Sequence, residues 1–284
     1  MITGSTDGIG RQAALELAQM QMDVIVHGRN LKKTQEAALG IKKQAGNNNI
    51  DFIAGDFSSL SDVKRMAADF HQKYAKLDVL LNNVGVWEKE RLVTQDGFEM
   101  TFQVNYLAHF LLTLSLLDLI KNAAPSRIVG VSSTAQANAL DFNNLQGEQS
   151  FNGYIQYGAS KLCDLLFTIE LANQLRTSNI TANCLHPGVI ATKLLRNGVG
   201  PNIGDPVTNG AKMHVYLATS PEMESVTGEF IVDKHPFRVG DVCQDEMVRK
   251  KLWQLSEKMV GIKFAAVPKK AAKKIAKKAA KKSK

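Results

Sequence analysis

The chain has 284 residues, of which 44% are apolar and 22% charged, the composition of a globular protein long enough for one sizeable α/β domain. No apolar run reaches the ~20 residues of a membrane span and no secretory-type leader opens the chain. Cys163, Cys184 and Cys243 are scattered without metal-ligand spacing, which predicts buried thiols in the cytoplasm and no metal centre. The net charge of +8 belongs to one end: Lys269 to Lys284 holds nine lysines and no acid, so the remainder carries 8 − 9 = −1.

The chain begins Met1-Ile-Thr-Gly-Ser-Thr-Asp-Gly-Ile-Gly10, with Ala13, Ala14, Leu17 and Ala18 following at helical spacing. A short strand, a turn holding Gly4, Ser5, Thr6, Gly8, Ile9 and Gly10, and a helix start would bring backbone close to a phosphate at the helix N-terminus. The spacing is not the commoner G-x-G-x-x-G, and a plain strand–turn–helix junction reads the same way. About three residues precede the turn, against five or six for a central strand, so the natural start is expected upstream of Met1. A second strand, Val24 to Val26, ends in His27-Gly-Arg-Asn30. At that place an acid suits a ribose 2′-hydroxyl and an Arg a 2′-phosphate. Gly28 holds the acid's position, Arg29 and Asn30 follow it, and Asp23 lies at the wrong end of the strand. The pattern predicts NADP(H), with NAD(H) left open. Asp7 argues the other way, since a basic residue in the turn would help a phosphate.

Leu31 to Ala45 has helical spacing, Ile50 to Ala54 reads as a strand, and Gly55-Asp56-Phe57 as a turn before a helix from Leu60 to Tyr74. Asp56 either accepts from the adenine amino group or merely begins that turn. Leu77 to Leu81 is a further strand, ending in Asn82-Asn83-Val84-Gly85. Such alternation predicts right-handed crossovers and a single doubly wound Rossmann-type α/β domain with a central parallel sheet of about seven strands. Ligands then collect beyond the carboxyl ends of the strands. A long helix is expected from Phe98 to Lys121, with Asn105 buried among Phe102, Val104, Leu107 and Phe110; a buried amide needs partners, which suggests a water or backbone relay. The strand Arg127 to Val131 ends in Ser132-Ser133, where a hydroxyl can meet a substrate oxygen. Tyr157 and Lys161 are four apart on a helix continued by Leu162, Leu165, Leu166 and Ile169. That spacing puts phenol and ammonium on one face, where the cation would hold the phenol nearer neutral pH than its free value of about 10. A strand from Ile180 to Leu185 leads into His186-Pro-Gly-Val-Ile-Ala-Thr192.

Taken in order, Gly4/Gly8/Gly10, Asn82-Asn83-x-Gly85, Asn105, Ser133, Tyr157/Lys161 and Pro187-Gly188 resemble the short-chain dehydrogenase/reductase family over residues 1 to about 262. Asn144-Leu-Gln-Gly-Glu148, Ser160-Lys-Leu162, Leu185-His-Pro-Gly188 and Lys251-Leu-Trp253 are similar to its retinol-dehydrogenase-like branch. The resemblance implies Tyr157 as general acid/base, Lys161 on the nicotinamide ribose, Ser133 on the reacting oxygen and Asn105 completing a proton relay. It also implies Thr192 and the backbone at Val189 or Ile190 on the carboxamide, after Pro187 and Gly188. Asn83, Val84 and Gly85 would lie at the cofactor-side strand end. The implied reaction is hydride transfer between NADP(H) and the carbonyl or alcohol carbon of a small substrate. A homodimer or homotetramer through the helices carrying Asn105 and Tyr157 is expected in the same way. Val84 stands where the family usually has Ala, and the membrane anchor typical of animal retinol dehydrogenases is not seen, so a membrane retinoid is not implied.

Leu194 to Thr208, rich in Gly and Pro, reads as a mobile loop closing over substrate, with Leu194, Leu195 and Val199 lining it. Tyr154, two turns from Lys161, is expected in the substrate pocket. Asp245 to Val260 is an amphipathic packing helix. Residues 263–284 form a Lys/Ala-rich tail, either simply solvated or a non-specific contact for nucleic acid or an acidic membrane surface. An alternative function is therefore an NADPH-binding, surface- or nucleic-acid-associated protein with little turnover.

Overall fold

The computed structural model describes residues 1–201 and 203–264; most of the Lys/Ala tail, with the polyanion contact expected of it, lies outside the described residues. Helix α1 (Gly8–Gln19) leads into β1 (Val24–Gly28), α2 (Leu31–Ala45), β2 (Ile50–Ala54), α3 (Leu60–Lys73) and β3 (Val79–Asn82). A helical stretch in pieces follows: α4 (Met100–Phe102), a π-helical segment Gln103–Leu107, α5 (Ala108–Ser115) and α6 (Leu117–Asn122). Then come β4 (Ser126–Val131), α7 (Gly153–Gln174), β5 (Ile180–Leu185), α8 (Lys193–Gly198), α9 (Val207–Thr219), β6 (Phe230–Val232), β7 (His235–Pro236) and α10 (Glu246–Val260).

β1 pairs with β2 in parallel, and β3 to β6 pair in parallel in chain order. Ile2 bridges Val26 on one side and Leu81 on the other, joining the two groups. The parallel sheet stands, but the expectation of about seven strands is corrected at both edges of the count. Met1–Thr3 contributes one bridging residue, Ile2, rather than a full strand, because Gly4 turns the chain at φ +65°. β7 runs antiparallel, because Asp233 and Lys234, at φ +49° and +67°, reverse the chain in a tight hairpin.

The strands are apolar on alternate faces, as a sheet covered on both sides requires. Leu81, Val129 and Leu185 pack with Leu17 of α1 and Met213 and Leu217 of α9, whereas Leu80, Ile128 and Cys184 pack with Phe70 of α3, Leu111 of α5 and Leu166 of α7. The carboxyl ends of the strands are left open between these layers.

Two further expectations change. The helix expected from Phe98 to Lys121 is not continuous. Glu99 caps it, accepting from the amides of Thr101 and Phe102 at 2.8 and 2.7 Å, and the hydrogen-bond ladder widens at Gln103–Leu107, around Asn105. Such π-bulges interrupt an α-helix locally and re-aim its side chains. α10 packs on one side of the helices expected to pair two copies. Trp253 of α10 lies 5.1 Å from Phe110 and 5.7 Å from Phe167, and the Tyr106 and Ser256 hydroxyls are 2.6 Å apart. The packed body runs past the expected boundary at 262, since the Phe264 ring sits edge-on to Trp253 at 5.6 Å. No described helix is long and apolar enough to cross a membrane.

Candidate active site

The glycine turn is built so that only backbone fits. A Cβ at Gly10 would lie 2.4 Å from Asn83 Nδ2 and 2.5 Å from the Gly4 carbonyl oxygen. Thr3 Oγ1 accepts from the amides of Asn83 and Val84 at 2.7 and 3.0 Å, tying the turn to the end of β3. Asn83 Nδ2 donates to the carbonyls of Thr3 and Gly4 at 2.8 and 3.3 Å, which directs its Oδ1 to His214 Nε2 at 2.9 Å. His27 Nδ1 accepts from the Gly4 amide at 3.1 Å while Nε2–H donates to the Gly55 carbonyl at 3.0 Å; burial holds this imidazole neutral by lowering its pKa to about 4. Ser5 Oγ donates to the Ile2 carbonyl and accepts from the His27 amide, so its side chain braces the turn.

On the adenosine side, Gly28 has no room for an acid. A Cβ there would meet Thr6 Cγ2 at 2.5 Å and Thr34 Oγ1 at 2.7 Å. Arg29 and Asn30 are exposed, and the Asn30 side chain caps α2 by accepting from the Lys33 amide at 3.0 Å. Asp56 Oδ1 accepts from the Ser58 amide and hydroxyl at 2.9 and 2.8 Å, the turn-forming alternative. The Phe57 ring is only 3% exposed and wedged 4.9 Å from His27 and 5.2 Å from His109, a core position that leaves only its backbone for the expected cofactor contact.

Beyond the ends of β3 to β5 lies a cavity of about 470 Å³. It gathers Gly4, Gly8, Ile9, Gly10, Asn83, Val84, Gly85, Ser133, Tyr157, Lys161, Pro187, Gly188, Val189, Ile190 and Thr192, while Ser5, Thr6, Arg29, Asn30, Asp56, Phe57 and Asn105 do not line it. Asn152 caps α7 through the amides of Tyr154 and Ile155, so the helix begins one residue before Tyr154. The Lys161 Nζ then lies 5.8 Å from the Tyr157 ring centre. It donates to the Val131 carbonyl at 2.8 Å and to Asp164 Oδ2 at 3.0 Å. Burial disfavours this ammonium, but the Asp164 carboxylate and the Tyr157 oxygen outweigh it and raise its pKa. The serine pair divides its work. Ser132 Oγ donates to the Lys161 carbonyl at 2.7 Å, and Ser133 faces the cavity with its Oγ accepting from the Ala135 amide at 3.1 Å.

Asn105 is buried with backbone partners, as expected, and lies behind the cavity rather than on its wall. Its Oδ1 accepts from the Val86 amide at 2.7 Å, and its Nδ2 donates to the Val86 carbonyl at 3.0 Å and Ser160 Oγ at 2.9 Å. Ser160 Oγ in turn donates to the Tyr157 carbonyl at 2.7 Å, so the amide fixes α7 against the loop after β3.

The expected mobile loop is partly helix. Thr192 caps α8, its Oγ1 accepting from the Leu195 amide at 3.3 Å. Leu194, Leu195 and Val199 line the cavity, with Tyr154 opposite. Lys193 pairs with Asp7 at 2.5 Å, so the acid in the glycine turn is neutralised from the lid. Gly198 lies against Trp87, where a Cβ would come within 2.2 Å of the indole.

A family model described as short chain dehydrogenase matches residues 1–199. The mouse protein named Retinol dehydrogenase 14 is 40% identical over 92% of this chain and 85% of its own length. The human protein named Retinol dehydrogenase 13 is 36% identical over 94% and 86%. The chain belongs to the short-chain dehydrogenase family. A solved uncharacterized protein from Mycobacterium paratuberculosis is 28% identical, with a TM-score of 0.77 over 93% of each chain. A short chain dehydrogenase from Shigella flexneri, solved with NADP, shares the fold at 23% identity and a TM-score of 0.66.

Sequence reasoning about this short-chain dehydrogenase missed three residues of the site. Trp87 stacks on Tyr157 with ring centres 4.6 Å apart and planes 7° from parallel; nothing in its spacing signals this. His27 was visible only as the end of a strand. Asp164 did carry a signal, an acid three residues after Lys161 in an otherwise apolar helical run.

Proposed function

We propose that this chain is an NADP(H)-dependent oxidoreductase acting on the carbonyl or alcohol carbon of an apolar substrate, with Tyr157 as general acid/base. The observation that carries the reading is the convergence, on one cavity, of Tyr157, Lys161 and Ser133 with the glycine turn. The residues fit a dinucleotide: α1 presents a glycine-only turn at its N-terminus, where a pyrophosphate is favoured, and the filled space at Gly28 excludes the acid that a ribose diol would need. Arg29, exposed at the end of β1, suits a 2′-phosphate. Val189, Ile190 and Thr192 would hold the carboxamide, and Lys161 the ribose. When bound, the nicotinamide supplies or takes the hydride.

The protein's own part is proton transfer and positioning. Tyr157 gives its proton to the carbonyl oxygen as charge develops there, Ser133 donates a hydrogen bond to the same oxygen, and the Lys161 ammonium stabilises the resulting phenolate. In alcohol oxidation the same groups act in reverse. Trp87, Tyr154, Leu194, Leu195, Val199 and Ile203 give the cavity an apolar share of its lining, and the charged Lys193 and Asp7 that also line it are paired with each other. The cavity therefore suits a neutral, apolar molecule, and the retinol dehydrogenases among the relatives make retinoid aldehydes members of the test panel.

The test is NADPH oxidation on straight-chain, aromatic and retinoid aldehydes, in the wild type and in Tyr157→Phe. The variant should bind NADPH normally and lose turnover by roughly 10² or more. No turnover by the wild type on any aldehyde, together with salt-sensitive DNA binding, would favour a binding protein instead.

A further inference from the structure

The strongest unexplained group beside the reaction centre is a second acid on α7. Asp164 is buried at 6% exposure, one turn after Lys161, and its Oδ2 accepts from the Lys161 ammonium at 3.0 Å. The Val131 carbonyl takes a second N–H of the same ammonium, which leaves one for Tyr157 and the cofactor ribose. A phenolate is stabilised by a cation beside it, and here that cation is shared with an anion.

The surroundings make the pair electrically isolated. On α7 itself the neighbours are Tyr157, Cys163 and Thr168; β5 presents Cys184; the segment before α5 presents Tyr106, and α5 presents His109. Burial keeps Cys163 and Tyr106 protonated with pKa values far up, pushes Cys184 to about 12, and lowers His109 to about 3. Among the described residues, then, Asp164 is the one anion facing Lys161 at neutral pH.

We propose that Asp164 is a positioning residue that partly cancels the Lys161 charge, so that Tyr157 keeps its proton to higher pH than an unshared ammonium would allow, which suits the site to carbonyl reduction. This rests on Tyr157 being the general acid/base. The physical reason is that a buried charge is weakly screened, so a carboxylate held 3.0 Å from the ammonium draws off part of the charge that would otherwise act on the phenol, although the carboxylate itself lies two turns of α7 from Tyr157. Burial also pushes the Asp164 carboxyl up to about 6, against the opposing pull of Lys161. Below that pH the carboxyl becomes neutral and Lys161 acts alone.

The experiment is the pH profile of kcat/KM for oxidation of the alcohol matching the best panel aldehyde, in wild type, Asp164→Asn and Asp164→Glu. Oxidation needs the phenolate, so the rate rises with pH through a midpoint. Asp164→Asn keeps the hydrogen bond and removes the charge, and should move that midpoint down by about one pH unit. Asp164→Glu, which keeps the charge, should stay near the wild-type midpoint. Asp164→Ser is a second neutral variant should Asn not fold. A folded, active neutral variant with the wild-type midpoint would overturn the proposal, as would failure of both neutral variants to fold, since the carboxylate would then be structural. A wild type that oxidises no alcohol and reduces no aldehyde would defeat the underlying oxidoreductase reading.

Discussion

At the Tyr157 end of the cleft, polar groups are buried and held by several partners. Lys161 is shared between Val131 and Asp164, Asn105 is closed on Val86 and Ser160, and Tyr157 is stacked on Trp87. At the Arg29 end the equivalent groups stand in solvent: Arg29 and Asn30 are exposed, and Asn30 spends its side chain on capping a helix. Between them lies a belt of buried neutral imidazoles, His27, His109 and His214, that ties the glycine turn to its neighbours. Proton transfer needs groups fixed to fractions of an ångström in a site shielded from water, whereas a phosphate can be attracted by one exposed guanidinium. The two ends should accordingly fail in different ways.

The largest effect should come from the belt. Burial lowers the pKa of His27 and His214 to about 4 and of His109 to about 3, against about 6.5 in the unfolded chain. Between those values the unfolded state binds protons that the folded state does not. The stabilisation is therefore complete above about pH 6.5 and is lost as pH falls towards 4, by up to roughly 3 kcal/mol per imidazole. Asp164, raised to about 6, works in the opposite direction and offsets part of the loss. Urea midpoints measured from pH 7.5 to 4.5 should fall steeply; a flat profile would mean that these rings are not buried neutral.

Next in size is the lid. Gly198→Val must push α8 off the indole, and overpacking of this kind costs about 1–3 kcal/mol, so kcat/KM should drop by about tenfold or more. Trp87 emission should shift to the red, while Trp253, packed among Phe110, Phe167 and Phe264, stays unchanged. Unaltered kinetics and emission would mean that Gly198 and Trp87 do not meet in solution. The smallest effect is at the open end. Arg29→Ala should raise KM for NADPH by about tenfold, the worth of one charge-assisted contact, and leave KM for NADH nearly untouched. Equal losses for both cofactors would remove the distinction drawn between the two ends.

The same contrast explains what the residues revealed before any coordinates. The bounds of α2, β2 and β5 follow directly from apolar periodicity bounded by turn residues, and Gly4, Gly8, Gly10, Asn83, Gly85, Ser133, Tyr157, Lys161, Pro187, Gly188 and Thr192 meet on one cavity, with Asn105 behind it. Periodicity could not show that Asn105 sits in a π-bulge, because the widened ladder arises from packing against Val86 and Ser160 rather than from helix propensity. The core place of the Phe57 ring was hidden for a related reason: the residue follows β2 where a cofactor loop is expected, yet His27 and His109 leave its ring a slot in the core. Trp87 and the Gly198 contact depend on two loops meeting, for which a single sequence has no local signature.

The central claim is that Tyr157 moves the proton while the nicotinamide end of the cleft carries the hydride chemistry. It is tested most directly by supplying NADPH deuterated at the transferable position and an aldehyde that the wild type reduces. The expected result is deuterium on the carbinol carbon of the wild-type product. In Tyr157→Phe, turnover should fall by roughly 10² or more with NADPH affinity kept. Full turnover by Tyr157→Phe, or an alcohol product without deuterium, would contradict it.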